Sequence, residues 1–456
     1  MVRKFEEKNK SLKNTIILQN GGIQMPKDAD VQMRKRNMKI FPTYKKLGWD
    51  YLFYYSIDFL FLTQIKNLTA ANVVLANSIK YLFGIFIQIP ANIIIEFLGR
   101  KNSIILGNIL NCLYLLMFMM TGNLFDLILA KFVSSLAVSI KEIAEPGLLN
   151  ASIPPSKYKS NIFAKINAKG VSGFYILSAL SKIIGGFLFE INGYIPMIFC
   201  LITLIIVTII SMLYIEPIKK RKSENNTTNT IKRQIKDIQD GFQFIVKSER
   251  LKALILSAAL IASLLSILVS YKTSLLQDIG TPAYIISFAA AAFSASSALG
   301  AKKQEKVNHR FKNKSIIIIA LIISFSTIMA GLLSLKAETF PILTLLIILS
   351  FLIGKFAHGL FFTIIDRYLR NFTNKEIDTK IFAVKNLFVN LMSAIMGIMA
   401  SFLLTKMPTS YCIIIVGILF TIMYIVMGKY MKVRVGLKPE EYSKQERKYD
   451  ELKVNL

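Results

Sequence analysis

A chain of 456 residues with 54% apolar and 18% charged side chains is too apolar for a soluble surface, which excludes an ordinary water-soluble assembly of domains. Its formal net charge of +29 would suggest nucleic acid in a soluble protein, but here Lys and Arg alternate with apolar stretches of about 18 to 25 residues. The charge therefore reads as membrane topology, with the lipid bilayer as partner and no nucleic acid.

Residues 1–47 carry many charges and no continuous hydrophobic segment of the signal-peptide kind, so they read as a basic tail. Apolar runs long enough to cross a hydrocarbon core of about 30 Å follow in order. They lie at 48–65, 72–95, 103–121, 125–149, 171–190, 194–215, 252–275, 282–300, 315–335, 341–364, 383–405 and 410–428. The alternation that a barrel needs is absent from runs such as Ser315 to Ile323, so the expected fold class is all-α with twelve membrane spans. If both termini are cytoplasmic, the outward loops keep only Lys66, Lys336 and Lys406, a strong positive-inside bias that an odd number of spans would scramble.

The longest polar connection divides the spans six plus six, giving bundles at 48–215 and 252–428, a linker at 216–251 and a basic tail at 429–456. Within that linker Lys219 to Thr230 is charged and rich in Asn and Thr. Ile231, Ile235, Ile238, Phe242 and Ile245 then recur at helical spacing, which predicts an amphipathic helix on the inner membrane surface. The halves also echo each other in sequence. Arg100 to Ile105 returns as Lys312 to Ile317, Lys131-Phe132 with Leu136 as Lys355-Phe356 with Leu360, Glu142 as Asp366, and Ile162 to Ala164 as Ile381 to Ala383. Four matches in order at equivalent places indicate a duplicated six-helix unit, an architecture used by transporters.

The stretch Asn92 to Ile105, NIIIEFLGRKNSII, resembles the cytoplasmic loop motif G-x-L-A-D-x-x-G-R-K of the major facilitator superfamily. Glu96 takes the acidic position, Gly99 the loop glycine, and Arg100 and Lys101 the basic pair, while Asn92 replaces a glycine. An acid at a helix end beside two cations forms a pairing that locks one conformation, so these four residues are the expected conformational gate. Leu127 to Val138 is similar to the family's R-x-x-x-G segment, with Lys131 for Arg and Ser135 for Gly. Asp240 to Leu251 resembles the helix leading into the seventh span. The fifth-span antiporter motif G-P-x-x-G-G reads Ser181-Lys182-Ile-Ile-Gly185-Gly186 here, which keeps the paired glycines and weakens an exporter assignment. The resemblance implies two pseudo-symmetric halves, alternating access, and a cavity lined by spans one, four, seven and ten.

Charges at membrane depth are costly and mark function by default. Asp58 lies near the middle of the first span, on one side of that helix with Asp50 and Tyr54. The fourth span carries Lys131, Lys141, Glu142 and Glu145; because Pro146 follows, the last three read either as a functional ion-pair group or as an interfacial one. Lys182 lies deep in the fifth span and Lys80 in the second. Lys355 on the tenth span is the repeat counterpart of Lys131, and His358, a residue type that titrates near neutral pH, sits three residues on. Lys272 is near an outer end, where it can snorkel. Asp58, Lys131, Lys141, Glu142, Glu145, Lys182, Lys355 and His358 are thus the candidates for substrate binding or proton coupling. The surplus of Lys suits a substrate with an anionic group.

No GxxxxGK[ST] loop appears, so direct ATP use is not expected, nor is any cofactor or metal. The expected function is secondary transport of a small organic solute, proton-coupled, of unresolved direction, by a monomer in the cell membrane. Two alternatives stand beside it. One is a transporter-like sensor that moves nothing. The other is a membrane-embedded enzyme for lipid or sugar donors, which the sparse outward acids and the distant pair His309 and His358 disfavour.

Overall fold

A computed structural model describes residues 17–19, 22–24, 27–156, 158–216, 227–311, 314–337, 339–371 and 378–434. Two three-residue strands, β1 (Ile17–Gln19) and β2 (Gly22–Gln24), pair antiparallel ahead of the helices. The first half of the molecule comprises α1 (Lys27–Gly48), the short α2 (Asp58–Leu60) continued by a π-helical turn Phe61–Ile65, and α3 (Ala70–Leu98). It continues with α4 (Arg100–Met120), α5 (Leu124–Ser152), α6 (Lys159–Ile191) and α7 (Ile195–Met212). The second half runs through α9 (Glu249–Asp278), α10 (Ala283–Phe311), α11 (Ser315–Ser334), α12 (Ile342–Asn371), α13 (Asp378–Leu404) and α14 (Thr409–Arg434). Between the halves lies α8 (Thr227–Lys247).

Polar side chains begin the spans where the chain turns back. Thr69, Asn123 and Ser248 each accept the N–H three residues on, meeting part of the hydrogen-bonding need of a helix start. Among the described residues nine helices are long and apolar enough to cross a membrane, and a tenth is α3, bent by 55° between Phe86 and Gln88. Pro90 explains the bend, because its ring displaces the carbonyl four residues earlier, at Phe86. The two remaining spans are the first, which is broken, and the fourth, α5, whose five charges from Asp126 to Glu145 lower its apolarity.

The structure differs from the sequence reading at the N-terminus. A continuous helix over 48–65 is not formed; instead α1 starts at Lys27, inside the expected tail, and ends at Gly48, with Phe41 and Tyr44 buried. Most of the rest of that tail, much of the linker segment Lys219 to Thr230 and the chain beyond Arg434 lie outside the described residues. The linker helix α8 is present and packs on α13: Phe244 and Ile245 are buried, and Lys380 meets Asp237 at 3.0 Å and Asp240 at 2.8 Å.

Buried ion pairing seats α1 on the bundle. Glu145 of α5 is 2% exposed, packed inside the protein. It accepts Lys45 Nζ at 2.5 Å and the Tyr44 hydroxyl at 2.8 Å, and Lys141 Nζ lies 3.7 Å away. The helix continues through Pro146 to Ser152, so Glu145 lies about two turns before its end. At the loop between α3 and α4, Gly99 has φ +80, a conformation glycine adopts without penalty. Glu216, just after α7, there accepts the backbone N–H groups of Arg100 at 2.9 Å and Lys101 at 2.5 Å, an anion on a helix N-terminus. A side chain at position 99 would also press on that carboxylate, since a Cβ would lie 3.1 Å from it.

Within the second half, α10 and α12 cross backbone on backbone. A Cβ at Gly300 would lie 2.1 Å from the Phe356 carbonyl oxygen, and one at Gly359 would lie 1.9 Å from that of Ser297. Small residues at such crossings are how membrane helices approach closely. Replacing Glu145 by Gln strands two buried ammonium groups, and a loss of about 3 kcal/mol or more is expected in reversible denaturant unfolding of the detergent-solubilised protein. Gly300→Leu must push α10 off α12, and by the same measurement it should cost about 1–3 kcal/mol; an unchanged midpoint would contradict this packing.

Candidate functional site

The break in the first span delivers side chains to the centre. The last bond of α1 runs from Trp49 N–H to the Lys45 carbonyl, after which the chain leaves helical geometry until Asp58. Lys141 Nζ donates to the freed Gly48 carbonyl at 2.8 Å, and Asp50 Oδ1 accepts the Tyr51 N–H at 3.0 Å and the Tyr55 hydroxyl at 2.7 Å. Phe53 has φ +63, rare for a bulky side chain and a sign of imposed conformation. Its carbonyl lies against Gly185 of α6. Trp49 meets Phe174 and Tyr175 of α6 edge-on, with centroids 5.3 and 5.1 Å away. A cavity of about 270 Å³ opens at the break between Lys45, Asp50, Lys80, Lys141, Glu142 and Glu145. Asp50, Tyr54 and Asp58 therefore share a turn region rather than one helical face.

A larger cavity, about 450 Å³, lies between the halves. Tyr51, Tyr54, Tyr55 and Asp58 enter from the broken span, Asn77, Lys80, Tyr81 and Gln88 from α3, Tyr114 from α4, and Lys131, Ser135, Ser139 and Glu142 from α5. Ser266 of α9 and Asn386 and Asn390 of α13 close it from the second half. Lys131 is 4% exposed, 3.5 Å from the Tyr114 hydroxyl, and stands over the rings of Tyr114 and Phe118 at 5.9 and 5.7 Å. Tyr54 and Tyr114 join hydroxyl to hydroxyl. Lys80 and Lys131 share this wall with Asp58 and Glu142, so it holds two basic and two acidic side chains. Tyrosine rings, neutral amides, three serines and the aliphatic side chains of Val138, Ile143 and Val269 make up the rest, a lining that offers both ring stacking and hydrogen bonds.

The halves touch mainly on the side away from the linker helix. Glu190 accepts the Ala283 N–H at 2.8 Å, Thr63 donates to Gln277 at 2.9 Å, and Ser401 donates to the Ala71 carbonyl at 2.8 Å. Phe187 stacks on Tyr284 with centroids 5.7 Å apart. Of the paired glycines, Gly186 makes the close approach, since a Cβ there would lie 2.4 Å from that of Ser287, whereas Gly185 makes ordinary contacts; on the other seam a Cβ at Gly397 would lie 2.2 Å from Ser78 Oγ. Gln88, Glu142 and Asn386 line the cavity toward the opposite side, so it faces the side of the linker helix.

Of the candidates named from sequence, Asp58, Lys131 and Glu142 meet in this cavity. Lys141 and Glu145 face the smaller one and pair with α1. Lys182, Lys355 and His358 lie outside both. Among the gate residues, Arg100 and Lys101 meet Glu216 through their backbone N–H groups, and the Arg100 side chain lies against Gly147 of α5. Sequence reasoning did not select Glu216, Lys45, Asn77, Asn386 or Asn390. The two α13 amides stand one helical turn apart inside an apolar run, a signal that was available. Among the described residues, no three His, Cys, Asp or Glu side chains gather as a metal site.

The nucleoside transporter NupG has a similar structure, with a TM-score of 0.63 at 15% identity, covering 87% of this chain and 99% of that one. A D-xylose-proton symporter gives 0.63 at 11%, covering 88% and 97%. A bacterial homologue of the human lysosomal transporter Spinster, in an inward-facing and occupied conformation, gives 0.60 at 14%, covering 88% and 97%. At these identities the likeness concerns the fold. No curated protein sequence matches significantly. The sequence itself matches the profile described as Major Facilitator Superfamily over residues 50–337 and 275–453. With matches spanning both six-helix halves, this chain belongs to the Major Facilitator Superfamily.

Proposed function

We propose that this protein is a secondary transporter carrying a small polar organic solute, coupled to protons through Asp58. The observation that carries the reading is the cavity of about 450 Å³ lined from both halves, with Asp58 and Lys131 in its wall. A site shared by two bodies that touch mainly beyond it is what alternating access requires. Rocking would part Glu190 from the Ala283 N–H and Thr63 from Gln277, while closing the halves over Gln88 and Asn386.

Asp58 and Lys131 supply the coupling. With Asp58 ionised the pair is attractive; protonation removes one charge and leaves Lys131 to seek another partner, so proton and solute occupancy are linked. The amides and tyrosines suit a solute with several hydrogen-bonding groups. Names among the similar structures, a nucleoside transporter and a D-xylose-proton symporter, accord with a polar solute and a proton. The positive-inside bias supports cytoplasmic termini in the cell membrane, which makes this conformation inward-facing. Because one chain holds the whole cavity, the proposed transporting unit is the monomer.

Solutes that raise the unfolding midpoint of purified protein can be tested in proteoliposomes under an imposed pH gradient. Asp58→Asn should lower gradient-driven uptake by roughly tenfold or more, about 1.4 kcal/mol or more in barrier, with solute stabilisation retained. Equal driven uptake by the variant would remove Asp58 from the coupling. Stabilising solutes that never move would favour the sensor reading.

A further inference from the structure

Three lysines outside the cavity gather on its closed side, drawn from both halves: Lys182 on α6, Lys272 on α9 and Lys355 on α12. Lys182 Nζ donates to Ser294 Oγ at 2.7 Å, across the boundary between the halves. Lys272 Nζ lies 4.9 Å from the ring centroid of Phe293, the residue before Ser294 on α10. It therefore turns inward rather than snorkelling. Its side chain meets that of Lys355, and the charge of Lys182 acts on both. Lys355 Nζ is 3.4 Å from His358 Nδ1.

Several other interior lysines have carboxylate partners. Lys45 and Lys141 share Glu145, and Lys385 pairs with Asp366 at 3.0 Å. Among the described residues, none of Lys182, Lys272 and Lys355 forms an ion pair with a carboxylate. The acid whose charge reaches Lys182 is Asp50, already engaged by the Tyr55 hydroxyl and the Tyr51 N–H. Three like charges at membrane depth repel, and an unpaired buried cation is costly. Each of the three, and His358, keeps some exposed surface.

We propose that Lys182, Lys272 and Lys355 bind one carboxylate or phosphate group. Three ammonium donors supply the charge-assisted hydrogen bonds that such an oxyanion accepts. Because Lys182 belongs to one half and the other two lysines to its partner half, the bound group ties the halves together in this conformation. The group belongs either to a free anion or to the transported solute; the second case rests on the proposed transport function.

The test uses full-length protein in detergent at low ionic strength, following the unfolding midpoint while inorganic phosphate or acetate is titrated. A saturating rise of several degrees is expected, above the non-saturating salting-out effect that any kosmotropic anion produces. Lys272→Gln and Lys355→Gln, each made separately, and Lys182→Gln as a third variant, should lose the saturating part and keep the other. Asp58→Asn should retain both, so failed transport coupling and failed anion binding remain distinguishable. Phosphate and acetate acting as strongly as the same groups on organic compounds identifies a free anion. Organic phosphates or carboxylates acting at tenfold lower concentration, with neutral parent compounds inert, identifies a group of the solute. No saturating rise with any of these anions, or the same rise in all three lysine variants, overturns the proposal. Lys355→Met raising the midpoint of a protein insensitive to anions would show that the lysines are held uncharged instead.

Discussion

Glu145 anchors three things that would otherwise come apart at membrane depth. It pairs with Lys45 on the helix that enters the bundle and with Lys141 on its own helix, and it accepts the hydroxyl of Tyr44. Lys141 in turn holds the Gly48 carbonyl where that entering helix stops. A helix may end inside a bilayer only if its freed carbonyls find partners. The carboxylate thus sustains the interruption, and the interruption delivers Tyr51, Tyr54, Tyr55 and Asp58 to the cavity. Removing the ion pair would cost the arrangement of the site as well as stability.

Two kinds of close contact divide the labour in the rest of the bundle. Inside the second half, Gly300 and Gly359 bring backbone against backbone, which leaves no side chain to rearrange and favours a rigid body. Between the halves, Gly186 faces the Ser287 side chain and Gly397 faces that of Ser78, supported by isolated hydrogen bonds such as Glu190 to Ala283. Contacts of the second kind can part without disturbing helix packing within each half. Such a combination of stiff units and a separable seam is the mechanical requirement for rocking.

The helical class, the six-plus-six division and the linker helix could be read from sequence because they rest on apolar run length and on the spacing of Ile238, Phe242 and Ile245. Asp58 and Lys131 were legible for a related reason: a charge inside an apolar run stands out. The interruption after Gly48 was not, since Tyr51-Leu-Phe-Tyr54 is as apolar and aromatic as a spanning helix, and nothing in that stretch announces the left-handed conformation of Phe53. Glu216 was hidden likewise, because its partners Arg100 and Lys101 lie on the far side of four helices of chain. Lys272 was misread from position alone; proximity to a helix end licensed an outward side chain, whereas its ammonium lies over the Phe293 ring.

Trp49 stands where the first span breaks, packed edge-on against Phe174 and Tyr175 with the Lys45 ammonium 5.9 Å from its ring. The chain contains one Trp, so its indole emission comes from a single known place. Indole emission responds to nearby charge and to water, and both change if the break rewinds or the Lys45 pairing shifts. The protein thereby carries an intrinsic optical probe at the junction between its entering helix and its cavity, readable without labels or added mutations.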